Sequence, residues 1–232
     1  MFAFEHAAAY GVHFIETDLR VSSDGVLHCF HDSFLDRTTN GIGPIGSHSA
    51  RDLGSLDAGY RHRLDGGYPF RGEGIGIPTF ASVLEAFPEH GFVVDVKNDG
   101  VVKPLAQLIK ERDLESRLVV GSFSTPRLLR LREICGREIA TSTGPGETVR
   151  AIVAGRLEGA FDPFGSTTVA LQVPVSWYGV PVVTKELVEV AHRFEKLVHV
   201  WTINEGYEII RLIDLGVDGI ITDRPDLASS LM

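Results

Sequence analysis

The sequence predicts an α/β fold in which a parallel sheet curls into a (β/α)8 barrel, and three observations carry that expectation. After Gly11, short runs rich in β-branched and aromatic residues alternate with longer helical patterns, the order of βα units around a parallel sheet. The length of 232 residues suits one barrel, and no linker or repeat divides it, so one domain over 1–232 is expected. A hydrophobic share of 44% beside 23% charged residues matches ordinary globular usage.

Element by element, the chain opens in a helical pattern that stops at Gly11 and has no preceding cap. Strands are expected at 12–19, 91–97, 118–123, 138–141, 170–175 (with a continuation at 180–183), 197–203 and 218–222. Helices are expected at 79–87, 104–112, 126–134, 147–154, 185–194 and 205–215, the last stopped by Gly216. A closed barrel uses eight strands and the chain offers seven. The absent one is the first, and the opening helix is its expected partner. Between Val26 and Pro78 the pattern lapses into Gly, Ser, Asp and Arg, so residues 32–78 are expected to form an insertion after the second barrel strand.

Composition narrows the function. Twenty-two Lys and Arg against 31 Asp and Glu leave a net charge of −9, which provides no broad basic footprint for nucleic acid. No apolar run reaches the roughly 18 residues of a transmembrane span. Cys29 and Cys135 are the only cysteines and lie far apart, and no secretory leader precedes Gly11, so a cytoplasmic location is expected.

In Ile15-Glu16-Thr17-Asp18-Leu19, a period of two puts Glu16 and Asp18 on one face and the apolar residues on the other. In a barrel the apolar set faces the helices and the acidic pair points inward, late in the strand, where barrel enzymes carry their active sites. Two carboxylates so close need a cation or a shared proton, unless they lie on a solvated strand end. Val94-Asp95-Val96-Lys97 repeats the pattern with Asp95 and Lys97 on one face. Lys97 is read as a point charge for a phosphate oxygen, as a Schiff-base nucleophile, or as half of a packed ion pair with Asp95. His31, in a His-Asp step before the insertion, is the acid–base candidate among nine histidines, while His28 and His199 stay ambiguous. Trp201, near the end of a strand, is either a pocket wall or a core residue. Gly41-Ile42-Gly43-Pro44-Ile45-Gly46 matches a dinucleotide fingerprint only in letters, since it neither ends a clear strand nor opens a helix.

Read together, these segments resemble the glycerophosphodiester phosphodiesterase family of metal-dependent TIM barrels. The resemblance runs through Phe4–Asp18, Asp24-Gly25 followed by His31-Asp32, Leu35-Asp36-Arg37-Thr38-Thr39-Asn40-Gly41, Leu56-Asp57-Ala58-Gly59, Ile77-Pro78-Thr79, Val94–Lys97, Val200–Asn204 and Asp218–Pro225. It implies hydrolysis of a small-molecule glycerophosphodiester to an alcohol and glycerol 3-phosphate. It further implies that Glu16, Asp18 and Asp95 bind a divalent metal, Ca2+ or Mg2+, that His31 is one of two acid–base histidines, that Lys97 contacts phosphate and that Trp201 packs on glycerol. Asp95 stands where the family more often has glutamate, one methylene longer. The family's His-Arg-Gly step at the end of the first strand is absent, so strongly impaired turnover by this chain is expected. The alternatives are a non-catalytic phosphodiester-binding protein, a related phospholipid-cleaving barrel and a Schiff-base lyase using Lys97.

Overall fold

The computed structural model describes residues 1–157 and 161–231. Helix α1 (Phe2–Ala8) leads into strand β1 (Phe14–Val21), which turns back as β2 (Leu27–Cys29). A long connection carries α2 (Ala50–Gly54) and ends at α3 (Phe80–Ala86). The units β3 (Gly91–Val96), α4 (Val102–Arg112), β4 (Leu118–Gly121), α5 (Thr125–Cys135), β5 (Ala140–Ser142) and α6 (Pro145–Arg156) follow. Next come β6 (Thr168–Pro174), the small hairpin β7 (Ser176–Trp177) and β8 (Val180–Pro181), and α7 (Lys185–Arg193). The described chain closes with β9 (Leu197–Trp201), α8 (Gly206–Leu215), β10 (Gly219–Ile220) and α9 (Pro225–Leu231).

One sheet holds the molecule together in the order β10-β9-β6-β5-β4-β3-β1-β2, parallel throughout except for β2. This is the expected barrel architecture with seven parallel strands. Among the described residues β10 and β1 do not pair, so the curled sheet stays open along that seam.

The strand period decides what faces where. On β1, Ile15, Thr17 and Leu19 are buried towards the helices while Glu16, Asp18 and Arg20 share the other face. The register sets Asp18 of β1 level with Asp95 of β3. Leu19, Phe92, Val94 and Val96 pack with Phe80, Leu105 and Ile109 of α3 and α4 in one apolar cluster, and β6 and β9 pack with α7 and α8 in a second. A third, smaller cluster of Leu35, Ile45, Leu53 and Ile77 lies within the connection from β2 to α3.

The helix ends are set by local signals, and Gly216 stops its helix as expected. Thr79 caps α3 by accepting from Ser82 N–H, Thr184 caps α7 by accepting from Leu187 N–H, and Gly216 closes α8 at φ +91°. Helix α4 begins two residues before Pro104 because a proline in the first turn breaks no intrahelical bond. Two helices lie outside the expectation. Helix α2 is fixed by a reciprocal bond pair between Ser49 and Asp52, a capping signal spread over too short an apolar run to show as periodicity, and α9 starts at Pro225.

The second half of the barrel is tied by a buried polar network. Arg132 of α5 donates to both carboxylate oxygens of Glu147 on α6 at 3.1 Å, to Thr141 Oγ1 at 2.8 and 3.0 Å and to Thr168 Oγ1 at 3.0 Å. Gly144 N–H donates to Glu147 Oε2 at 2.9 Å. Burial alone raises the Glu147 carboxyl, but the Arg132 bonds, the Gly144 N–H and the guanidinium charge outweigh it and hold the group below its ordinary value. Its stabilisation is therefore full above the unfolded carboxyl pKa and fades as pH falls through the lower folded one. Glu147→Gln, which leaves Arg132 buried and unpaired, is expected to cost about 3–5 kcal/mol in urea unfolding at neutral pH. The gap to the parent should narrow below about pH 4.

Candidate functional site

A cavity of about 550 Å3 opens at the carboxyl ends of the strands. Glu16, Asp18, His31, Asp95, Lys97 and Trp201, the six residues singled out from the sequence, all line it. Strand β1 presents Glu16 and Asp18 on its inner face, and β3 presents Asp95, with Lys97 just past its end. Trp201 closes β9, and the chain leaving β2 carries His31.

Lys97 Nζ donates to Asp18 Oδ1 and to Asp95 Oδ2, each at 2.7 Å, with all three side chains less than a fifth exposed. Burial lowers the Lys97 pKa, but the bonds to Asp18 and Asp95 outweigh it and raise the ammonium above its usual value. A Schiff-base lysine requires the opposite shift, so the geometry disfavours the lyase reading. Asp95 is raised, first by burial, against the pull of Lys97. Glu16 occupies a recess reachable by water yet enclosed by protein on most sides. Burial, then the charges of Asp18 and Asp95, push its carboxyl up to about 8. Asp223, just past β10, adds a further carboxylate and accepts a bond from Asn204 Nδ2 at 2.9 Å.

His31 is oriented from two sides. Its Nδ1 lies 2.7 Å from Asp32 Oδ1, and Asp32 is gripped in turn by the Arg37 guanidinium. The Arg37 bonds hold the Asp32 carboxyl below its usual range. With an ionised carboxylate at Nδ1, that nitrogen carries the proton and Nε2 is left to accept one. From the strand side, Arg20 Nε and Nη2 donate to the His31 carbonyl at 3.1 and 2.8 Å.

Several contributors escaped the sequence reading. Arg20 continues the Glu16, Asp18 face by two residues, a signal the period contained. Phe123, Val149, Ile152, Gln172 and Trp177 line the cavity, from the loop after β4, from α6, from β6 itself and from β7, where spacing alone says little. The ambiguous histidines are both held low by burial. His28 is fully buried, and its ring nitrogens have no hydrogen-bond partner among the described residues.

The donor set has the chemistry of a site for a hard divalent cation. Carboxylate oxygens suit one, Asp95 Oδ1 is buried without a hydrogen-bond partner among the described residues, and the raised Glu16 carboxyl is one whose charged form a bound cation would favour. The arrangement differs from the expectation in one respect. Three carboxylates were to meet around an ion with Lys97 beside it, but the ammonium itself lies between Asp18 and Asp95. Among the described residues no three His, Cys, Asp or Glu side chains are grouped as an ion site. The residues fit a cation provided that Lys97 gives up one of its two carboxylates.

Comparison with known proteins adds independent information. The profile of the Glycerophosphoryl diester phosphodiesterase family matches residues 1–227. The chain is 31% identical to the Probable glycerophosphodiester phosphodiesterase 2 of Mycobacterium tuberculosis, over 100% of this chain and 84% of that protein. To the Glycerophosphodiester phosphodiesterase of Bacillus subtilis it is 28% identical, over 97% of this chain and 78% of the other. In fold it is similar to the glycerophosphoryl diester phosphodiesterase domain of another M. tuberculosis protein (TM-score 0.83, 20% identity, covering 99% and 91% of the two chains). It is likewise similar to an Oleispira antarctica phosphodiesterase solved with the product sn-glycerol-3-phosphate (TM-score 0.77, 23% identity, 98% and 88%).

Lys97→Met leaves Asp18 and Asp95 without their cation and is expected to lower the unfolding free energy of chelator-treated protein by about 3 kcal/mol, with Lys97→Arg recovering part of the loss. Borohydride added with a carbonyl compound should leave Lys97 unmodified by mass spectrometry. An adduct on Lys97 would reinstate the lyase.

Proposed function

The chain belongs to the glycerophosphoryl diester phosphodiesterase family, and from that premise we propose that its pocket hydrolyses glycerophosphodiesters to an alcohol and glycerol 3-phosphate. The observation that carries the reading is the grouping of Glu16, Asp18, Asp95, Lys97, His31 and Trp201 around one cavity. Lys97 contacts a phosphate oxygen, exchanging one carboxylate for it, and Trp201 forms the wall against glycerol. His31 moves one proton through Nε2, either from the attacking water or to the departing alcohol, while Asp32 and Arg37 hold its tautomer. Glu16, Asp18 and Asp95 hold the divalent cation, Ca2+ or Mg2+. When bound, that ion offsets charge on the phosphate.

Residues 32–78 act as an insertion subdomain that secures Asp32 and Arg37, a role supported by their own apolar cluster. The free thiols of Cys29 and Cys135 support a cytoplasmic setting, and among the described residues no helix is long and apolar enough to cross a membrane.

His31 is the one imidazole lining the cavity among the described residues. Glycerol 3-phosphate release from glycerophosphocholine by residues 1–232 is therefore expected to be slow, about 10²–10⁴ below that of a site with a proton-transfer pair. It should fall further in His31→Ala and in chelator. Asp32→Asn should lower kcat while KM holds, because it disturbs the imidazole and not the phosphate contact. A His31→Ala rate equal to the parent's refutes the assignment. Tight substrate binding with no release of product points instead to a binding protein.

A further inference from the structure

The cavity is divided by charge, and the sheet order explains why. Its charged lining residues come from β1, its neighbour β3 and the chain beyond β2 and beyond β10, the parts of the sheet nearest the open seam. The opposite side is supplied by β4, β5, β6 and the segments that follow them, and among the described residues it presents no charged side chain to the cavity. Phe123, Val149, Ile152, Trp177 and Val182 give that side apolar surface, and the polar side chains between them, Ser142, Thr143, Thr148 and Gln172 among them, are uncharged. Phe123 is the hinge between the halves: its ring centroid lies 5.8 Å from Lys97 Nζ and 5.4 Å from the Trp201 ring. Apolar surface therefore begins directly beside the ammonium that the proposed function assigns to phosphate. It also reaches the rim, where Val149 and Trp177 are 60% and 52% exposed.

Resting on that reading of the site, the geometry points to a more specific substrate: a glycerophosphodiester whose leaving alcohol is uncharged and apolar, seated on the β4–β6 side. With glycerol and phosphate on the charged side, the second ester group lies across the phosphorus from glycerol, against Phe123, Val149 and Trp177. A hydrocarbon there exchanges water for aliphatic and aromatic contact, and two buried methylenes already multiply affinity about tenfold. A cationic alcohol finds no carboxylate on that side, because Glu147 of the same helix is spent on Arg132.

The fluorescence of Trp177 and Trp201, the chain's two tryptophans, reads out binding without requiring turnover. Dissociation constants are measured for the n-octyl ester of sn-glycerol 3-phosphate, kept below its micelle threshold, and for glycerophosphocholine. The octyl ester is expected to bind about tenfold tighter or better. Val149→Asp should collapse that preference to within about threefold, while Val153→Asp, on the same helix outside the cavity lining, should retain it. Equal or weaker binding of the octyl ester, or a preference untouched by Val149→Asp, overturns the inference. If glycerophosphocholine is still hydrolysed in that case, the phosphodiesterase reading survives it. A clear octyl preference without hydrolysis of either ester keeps the apolar seat for the second ester group but removes the hydrolytic reading and, with it, the substrate assignment.

Discussion

Charge compensation at Lys97 is the constraint on which the site depends. The parallel register of β1 on β3 brings Asp18 and Asp95 level, and Glu16 lies on the same face. Three carboxylates converging on a partly enclosed recess repel one another, and the ammonium between two of them lets the arrangement persist. The same arrangement has a functional reading. A lysine already holding two acids can trade one of them for a phosphate oxygen, and the released carboxylate becomes available to a hard cation. Glu16, with its raised pKa, is the group whose charged form that cation would favour.

Around this centre, the molecule organises support in shells. Arg20 reaches from β1 to the His31 carbonyl, so the strand that presents the acids also fixes the backbone of the imidazole. Asp32 and Arg37 fix the ring from the connection beyond β2, where a small apolar cluster of its own anchors the chain. On the far side, Arg132 and Glu147 bind α5 and α6 to β5 and β6, which keeps the uncharged wall in place. Rigid scaffolding thus stands behind loop-borne groups on both sides of the cavity.

Much of this was legible in the sequence because the strand period is a local property. Glu16 and Asp18 alternate with Ile15 and Thr17, so their common face follows from neighbours alone, and Asp95 with Lys97 follows in the same way. The position of the Lys97 ammonium between two acids was not legible. It depends on which residue of β1 sits beside which residue of β3, a pairing separated by more than seventy residues of chain. The uncharged wall was also hidden, because Val149 is exposed on a helix whose sequence shows little sidedness, Ile152 is half-buried beside it and Phe123 lies in a loop, positions that ordinarily carry no message. Helix α2 shows the lower limit of periodicity: five residues give it one buried side chain, Leu53.

The alternation along β1 has an evolutionary corollary. Substitutions on its helix-facing side alter packing by degrees, but adding or deleting a single residue at the start of the strand itself turns every later side chain to the opposite face unless a bulge absorbs it. Such an event would drive three ionisable groups into the apolar layer and turn Ile15, Thr17 and Leu19 towards the lumen. Lineages of this protein should therefore tolerate length variation in the connection after β2 far more readily than within the strand from Phe14 to Asp18, where the viable indels are those that preserve parity.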